Sequence, residues 1–233
     1  MGEELDIYTK LTEYKENNKI VRLIAVRHAE SFANTEGKYQ GQTYDTDLSK
    51  LGKKQAEALA RRVKDLGVKK IITSPLKRTY QTAFEVSKLV SSVIEVNDLV
   101  IETNHGVWEG NTKDWIKENS PGLLETWQTY PSKAVFPGGE AFTQTFKRVE
   151  AFLESNIFED DTLLVTHDNI VRILVTLANG WTLDEIWKHD IEPAALNFFE
   201  INKVAGKNKL KILKLNDTEH LRNLKADLKK HAL

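Results

Sequence analysis

The sequence contains no cysteine. Without a thiol there is no disulfide framework, no thiolate metal site and no cysteine nucleophile of the kind that some phosphatases and proteases use. Long apolar runs are missing too: nothing approaches the ~18 apolar residues that a membrane helix needs. The opening stretch MGEELDIYTKLTEYKENNK is acidic and polar, without the apolar segment of a secretory signal. A cytoplasmic setting is expected, with no membrane partner. Nor is either charge in excess. Lys and Arg number 33 against 34 Asp and Glu, a net charge of −1, so no overall field draws the protein to nucleic acid. Any anion that binds must be met by a local cluster. Neither a Walker-type glycine loop nor a dinucleotide fingerprint occurs, and no cofactor is expected.

What is present is ordinary globular composition, 40% hydrophobic and 29% charged over 233 residues, enough for one continuous core. The run IVRLIAV from Ile20 is nearly unbroken and β-branched, as in a strand buried on both faces of a parallel sheet. Residues 49–66 space Leu51, Leu59, Val63 and Leu66 at a helical period with Ser49 as N-cap. Lys70 to Thr73 reads as a second strand, followed by Ser74 as cap and a helix from Pro75 to about Val90. A strand is expected over Val93 to Val100, then an irregular glycine- and proline-containing region, a helix from Glu140 to Glu154, a strand Thr162 to Thr166 and a helix Asn169 to Ala178. Asn197 to Val204 and Lys209 to Leu215 form a late hairpin around Gly206, and a polar helix closes the chain from Thr218 to Ala232. The lysines of that last stretch read as a solvated helix face, not a nucleic-acid patch.

This alternation predicts an α/β fold: a three-layer α/β/α sandwich with a mostly parallel central sheet and a small helical cap. Residues 1–19 are an N-terminal extension, 20–217 the domain, with its cap at about 103–137, and 218–233 the C-terminal helix. Ligands in such sheets bind beyond the carboxyl ends of the strands, where helix N-termini point their free N–H groups inward. Three strands deliver unusual residues there: Arg27 and His28 after the first, Ser74 with Arg78 a turn into the next helix, and His167 and Asp168 after the later one.

Taken singly, each of these residues has a structural reading, as a hydrogen-bonded histidine or a solvated arginine. Together, two histidines and two arginines suit an oxyanion. A metal held by His28, His167 and Glu102 is the rival reading, but arginines beside the ligands would add repulsion, so no metal is expected. Arg27 and Arg78 can fork onto phosphate oxygens. His28 can present a neutral ring nitrogen to phosphorus while its other nitrogen donates, as to a backbone carbonyl. Arg27, Arg78 and His167 then meet the charge of the transferring group, and Glu102 is the candidate acid for the leaving oxygen.

The segments VRHAESFAN (26–34), TSPLKRTYQTA (73–83), IETNHGVWEG (101–110), FPGGEAF (136–142) and LVTHDNIVRIL (164–174) resemble, in order, the motifs of the histidine phosphatase superfamily, which includes the cofactor-dependent phosphoglycerate mutases. The resemblance runs from about residue 20 to 204. It implies that His28 accepts the phosphoryl group, that Arg27, Arg78 and His167 form the phosphate pocket, and that Glu102 donates the proton. It further implies that Ser31 and Asn34 line the entrance, with Gln40 and Gly41 among the substrate-binding residues and Asp168 near the leaving group. Asp168 stands where the family usually has glycine, the loop GQTYDTDLS is one residue longer than typical, and His105 replaces a frequent aromatic. His105 reads as a pocket-edge or structural residue.

The resemblance leaves hydrolysis, mutase-type phosphoryl transfer and mere phosphate binding open. Between Gly110 and Pro137 there is no arginine, and mutases of the family carry paired arginines there to hold the substrate carboxylate. A silent binding protein would have lost a core residue. The reading is therefore a metal-independent phosphomonoester hydrolase, acid-phosphatase-like, acting through a phosphohistidine on a small-molecule phosphate ester; its assembly is a monomer or a homodimer. Trp115, Trp127 and Tyr130 are read as packing of the cap, or as a wall for an organic leaving group.

Overall fold

The computed structural model describes residues 21–156, 158, 161–204 and 206–232; the expected extension over 1–19 lies outside the described residues. Six strands form one sheet: β1 (Val21–Arg27), β2 (Lys70–Thr73), β3 (Ile94–Val96), β4 (Thr162–Thr166), β5 (Leu196–Val204) and β6 (Lys207–Asp217). Their spatial order is β3-β2-β4-β1-β5-β6. β1, β2, β3 and β4 are mutually parallel, while β5 and β6 complete the sheet as an antiparallel hairpin.

The apolar run of β1 is explained by its place between β4 and β5. Side chains alternate across a strand, so Leu23 and Ala25 enter one core while Ile24 and Val26 enter the other. After the short helix α1 (Phe32–Thr35), α2 (Lys50–Lys64) packs against the second face through Leu59 and Val63, and α3 (Lys77–Ser87) through Ala83 and Val86. Against the first pack α6 (Phe142–Ser155) and α7 (Asp168–Asn179), with Val149, Phe152, Ile170 and Leu174 buried between them. This is the three-layer sandwich. Ser49 caps α2 by accepting from the Gly52 N–H, and Arg61, Arg62 and Lys64 sit at the negative end of that helix.

Residues 103–137 contain two short helices, α4 (Lys113–Asn119) and α5 (Pro121–Thr129), over the α6 side of the sheet. Their centre is aromatic: Trp127 meets Phe136, Phe142 and Trp187 edge to face at 4.7–5.2 Å. Fully burying one large apolar side chain contributes roughly 1.5–3 kcal/mol. Trp127 is 1% exposed. Trp115 and Tyr130 are partly exposed, and neither they nor Trp127 are among the residues lining the cleft described below.

Several boundaries differ from the sequence reading. Ser74 does not cap a helix: α3 begins at Lys77 behind Leu76, and the Ser74 hydroxyl turns to His167. The strand expected over Val93 to Val100 stops at Val96, because the Asn97 side chain accepts from the Leu99 N–H and starts a 3-10 turn over Asp98–Val100. The C-terminal helix expected over 218–232 is replaced by two 3-10 turns, Arg222–Leu224 and Leu228–Lys230. The physical reason is burial at widely separated points. Leu221 joins a cluster with Ala29, Leu48 and Ala56, while His231 and Ala232 are buried at the sheet's carboxyl edge.

Candidate active site

The parallel register sets Arg27 beside Thr166, so the residues that follow each strand emerge together. His28 donates its backbone N–H to the Thr166 carbonyl at 2.8 Å. The His28 and His167 rings then lie edge to face, 5.5 Å between centroids.

The hydrogen bonds of His28 fix its tautomer. Nδ1 lies 2.7 Å from the Ala29 carbonyl, which can only accept, while the Arg78 Nε–H donates to Nε2 at 3.2 Å. The proton is on Nδ1 and the lone pair on Nε2. Burial first, and then Arg78 and Arg27, hold the His28 imidazolium far below its ordinary pKa. Burial, Arg78 and His28 do the same to His167, whose Nε2 lies 2.8 Å from the Ser74 hydroxyl and whose buried Nδ1 has no partner in the protein.

The two arginines are braced from behind. Arg78 is fully buried and donates to Asp45 at 3.1 Å and to the Gly41 carbonyl at 3.0 Å. Arg27 donates through one terminal nitrogen to Asp168 and the Ile191 carbonyl, both at 2.9 Å, and through the other to His231 Nδ1 at 3.4 Å. Its Nε is buried without a protein partner. One edge of the guanidinium is thus committed to the scaffold, and the other keeps donors for an oxyanion.

Glu102 is 3% exposed. Burial raises its carboxyl to about 7, against the opposing pull of the Thr103 N–H and Arg78. Its carbonyl is pinned by Arg148 at 2.9 Å and by the Gln42 amide at 2.8 Å. A carboxyl that holds its proton near neutrality can act as a general acid.

A narrow cleft is lined by Arg27, His28, Arg78, Glu102, Asn34, Gln40 and Asp168. Of the remaining sequence-predicted residues, His167 is fully buried beside His28. Ser31 is fully buried, its hydroxyl 2.9 Å from both Asn34 and Gln40. Gly41 braces Arg78 through its carbonyl. His105 is buried against Phe136, donates from Nδ1 to the Gln40 carbonyl at 2.8 Å, and is lowered to about 4 by burial. It supports the cleft wall from outside. Among the described residues no group of three or more His, Asp or Glu is placed to hold a metal ion.

The structure adds residues that sequence reasoning missed. Lys38, Tyr39 and Ala232 also line the cleft. Asp45 pairs with Arg78, and Arg172 pairs with Asp168 at 2.6 Å. Only the last left a readable signal: Asp168 and Arg172 stand four apart in a helix, the spacing of a side-chain pair.

Comparison with known proteins agrees with this geometry. Residues 23–218 match the profile of the histidine phosphatase superfamily (branch 1). The chain is 35% identical over 205 residues to phosphoserine phosphatase 1 of Hydrogenobacter thermophilus, covering 87% of this chain and 95% of that protein. Among solved structures, a mycobacterial glucosyl-3-phosphoglycerate phosphatase in complex with VO3 superposes with a TM-score of 0.76 at 23% identity, over 85% of this chain and 100% of that one. The alpha-ribazole phosphatase of Shigella flexneri gives 0.73 at 24%, over 84% and 96%. No helix among the described residues is long and apolar enough to cross a membrane.

Proposed function

The chain belongs to the histidine phosphatase superfamily, and we propose that it hydrolyses small phosphate monoesters without a metal, through a phosphohistidine on His28. The observation that carries this reading is the state of His28 inside the cleft: neutral, with its Nε2 lone pair beside two braced arginines.

In the first step the Arg78 Nε–H turns from His28 to a phosphoryl oxygen, the freed Nε2 lone pair attacks phosphorus and the bond to the leaving oxygen breaks. Arg27 and Arg78 offset charge on the transferring group, and the neutral His167 donates a hydrogen bond to it. The leaving alkoxide takes the proton of Glu102. In the second step water attacks the phosphohistidine, the Glu102 carboxylate takes its proton, and inorganic phosphate departs as His28 regains its lone pair. Hydrolysis is favoured over a mutase cycle because residues 111–136 supply no arginine to hold a second substrate in place.

For the substrate, we propose a small ester with a second anionic group, phosphoserine being the first to test. The narrow cleft supports a small molecule, and Lys38 at its lining, paired with Glu36 at 3.0 Å, is a cation that can exchange that partner for a substrate carboxylate. Such esters are charged and do not cross membranes unaided, so the proposed location is the cytoplasm. A phosphate-release screen over phosphoserine, sugar phosphates, phosphoglycerates and nucleotides, run with chelator and with a parallel mutase assay, tests the reading. Release that persists in chelator and vanishes in His28→Ala is expected. Mutase turnover exceeding hydrolysis, or loss of activity with chelator, would contradict it.

A further inference from the structure

Glu109 has no part in the phosphoryl transfer above, yet its carboxylate gathers five donors. Oε1 accepts from the N–H groups of Gln42 and His105, both at 3.0 Å. Oε2 accepts from the N–H groups of Thr43 at 2.7 Å and Tyr44 at 2.8 Å, and from the Thr43 hydroxyl at 2.6 Å. Three successive backbone N–H groups thus converge on one carboxylate, the nest arrangement that favours an anion. Partial burial works against that charge, but the Thr43 hydroxyl and the N–H groups outweigh it and keep the carboxyl below its ordinary pKa.

The ends of the same loop hold Arg78. At one end the Gly41 carbonyl accepts from Arg78 at 3.0 Å; at the other Asp45 accepts from Arg78 at 3.1 Å and from the Lys77 N–H at 2.8 Å. The middle of the loop is therefore anchored to Glu109 and its flanks to the arginine that faces His28. Gly41 has a steric reason as well. A Cβ there would lie 2.0 Å from Glu109 Oε1 and 2.7 Å from the Thr103 carbonyl, so no larger residue fits while the carboxylate stays seated.

We propose that Glu109 is a positioning residue which, by clamping residues 42–44, sets the guanidinium of Arg78 against the phosphoryl group. The role rests on the phosphatase reading above, since Arg78 needs a fixed orientation only if it grips a transferring group. In Glu109→Gln one acceptor oxygen becomes an NH2 that faces N–H donors, and the loop loses its anchor. Arg78 is then held less firmly, which weakens binding of a transition-state mimic more than it disturbs the fold.

The test is a double-mutant cycle on orthovanadate affinity, with thermal unfolding of each protein measured alongside. Glu109→Gln and Asp45→Asn should each weaken vanadate about tenfold. The double variant should weaken it by no more than about twentyfold, not the hundredfold of independent effects, because both act through one loop on one arginine. Vanadate affinity unchanged in Glu109→Gln, or a multiplicative double variant, overturns the proposal. If Glu109→Gln does not fold, Thr43→Val takes its place; it removes a single hydroxyl contact and should give about a threefold loss with the same non-additivity, and no loss overturns the proposal. Wild type that fails to bind vanadate overturns the phosphatase reading and the role of Glu109 with it. Wild type that binds while the variants are unaffected overturns the role of Glu109 alone.

Discussion

Asp168 and Arg27 form a buried ion pair 2.9 Å apart at the carboxyl edge of the sheet, side chains 1% and 4% exposed. The second Asp168 oxygen accepts from Arg172 at 2.6 Å. One carboxylate thus separates two buried guanidinium groups. Its presence fixes one terminal nitrogen of Arg27, while the Arg27 Nε, buried without a protein partner, is left for substrate.

Removing that charge should therefore be costly. Asp168→Asn leaves two buried cations short of a partner, and breaking a buried pair in this way costs about 3 kcal/mol or more. Burial alone would raise the Asp168 carboxyl, but Arg172 and Arg27 outweigh it and hold it below its ordinary range. Its stabilising contribution is therefore complete above the unfolded pKa of roughly 4 and is lost as pH falls through the lower folded value. Urea unfolding at pH 7 and in acid should show a large deficit in the variant at pH 7 that narrows below about pH 4. A deficit under about 0.5 kcal/mol, or one independent of pH, would be inconsistent with the pairing.

The Glu102 carboxyl, raised to about 7 by burial, sets a pH dependence of opposite sign. Turnover of an alkyl phosphate needs its protonated form, so kcat should fall as pH rises past about 7. Glu102→Gln should abolish that limb and lower kcat/KM, which reports the first transfer, by roughly a hundredfold or more for alkyl esters, with a much smaller effect on kcat/KM for p-nitrophenyl phosphate, whose leaving group needs no proton. Equal slowing of both esters would remove Glu102 from the role of acid.

His231 approaches Arg27 from the C-terminal segment at 3.4 Å, and burial followed by Arg27 lowers its imidazole to about 4. It accepts from Arg27 as a neutral ring. Losing one such bond is worth a factor of roughly 3 to 10, and His231→Ala should show it as a higher KM with kcat nearly unchanged. Steady-state kinetics on the best substrate decide the matter. An unaltered KM would make the contact incidental.

The strand ends were legible because a nearly continuous β-branched run announces a doubly buried strand, and its end marks the ligand edge. That places Arg27, His28, Arg78 and His167 at one edge, while Glu102 follows from the need for an acid in the segment that begins the cap. The braces were not legible. Asp45 lies 33 residues before Arg78 in a loop with no periodicity, and Glu109 acts on backbone N–H groups, which carry no sequence signal. The C-terminal segment misled for a related reason: its lysines suggested a solvated helix, whereas its fold is decided by a few buried points, Leu221, His231 and Ala232. The aromatic cap residues were ambiguous for the same cause, since packing and substrate contact draw on the same side chains.

The central claim is that His28 carries the phosphoryl group. Rapid quench of the enzyme with a radiolabelled phosphate ester should trap a phosphoenzyme that is labile in acid, stable in base and absent from His28→Ala. Label on another residue, or full turnover by His28→Ala, would contradict the account.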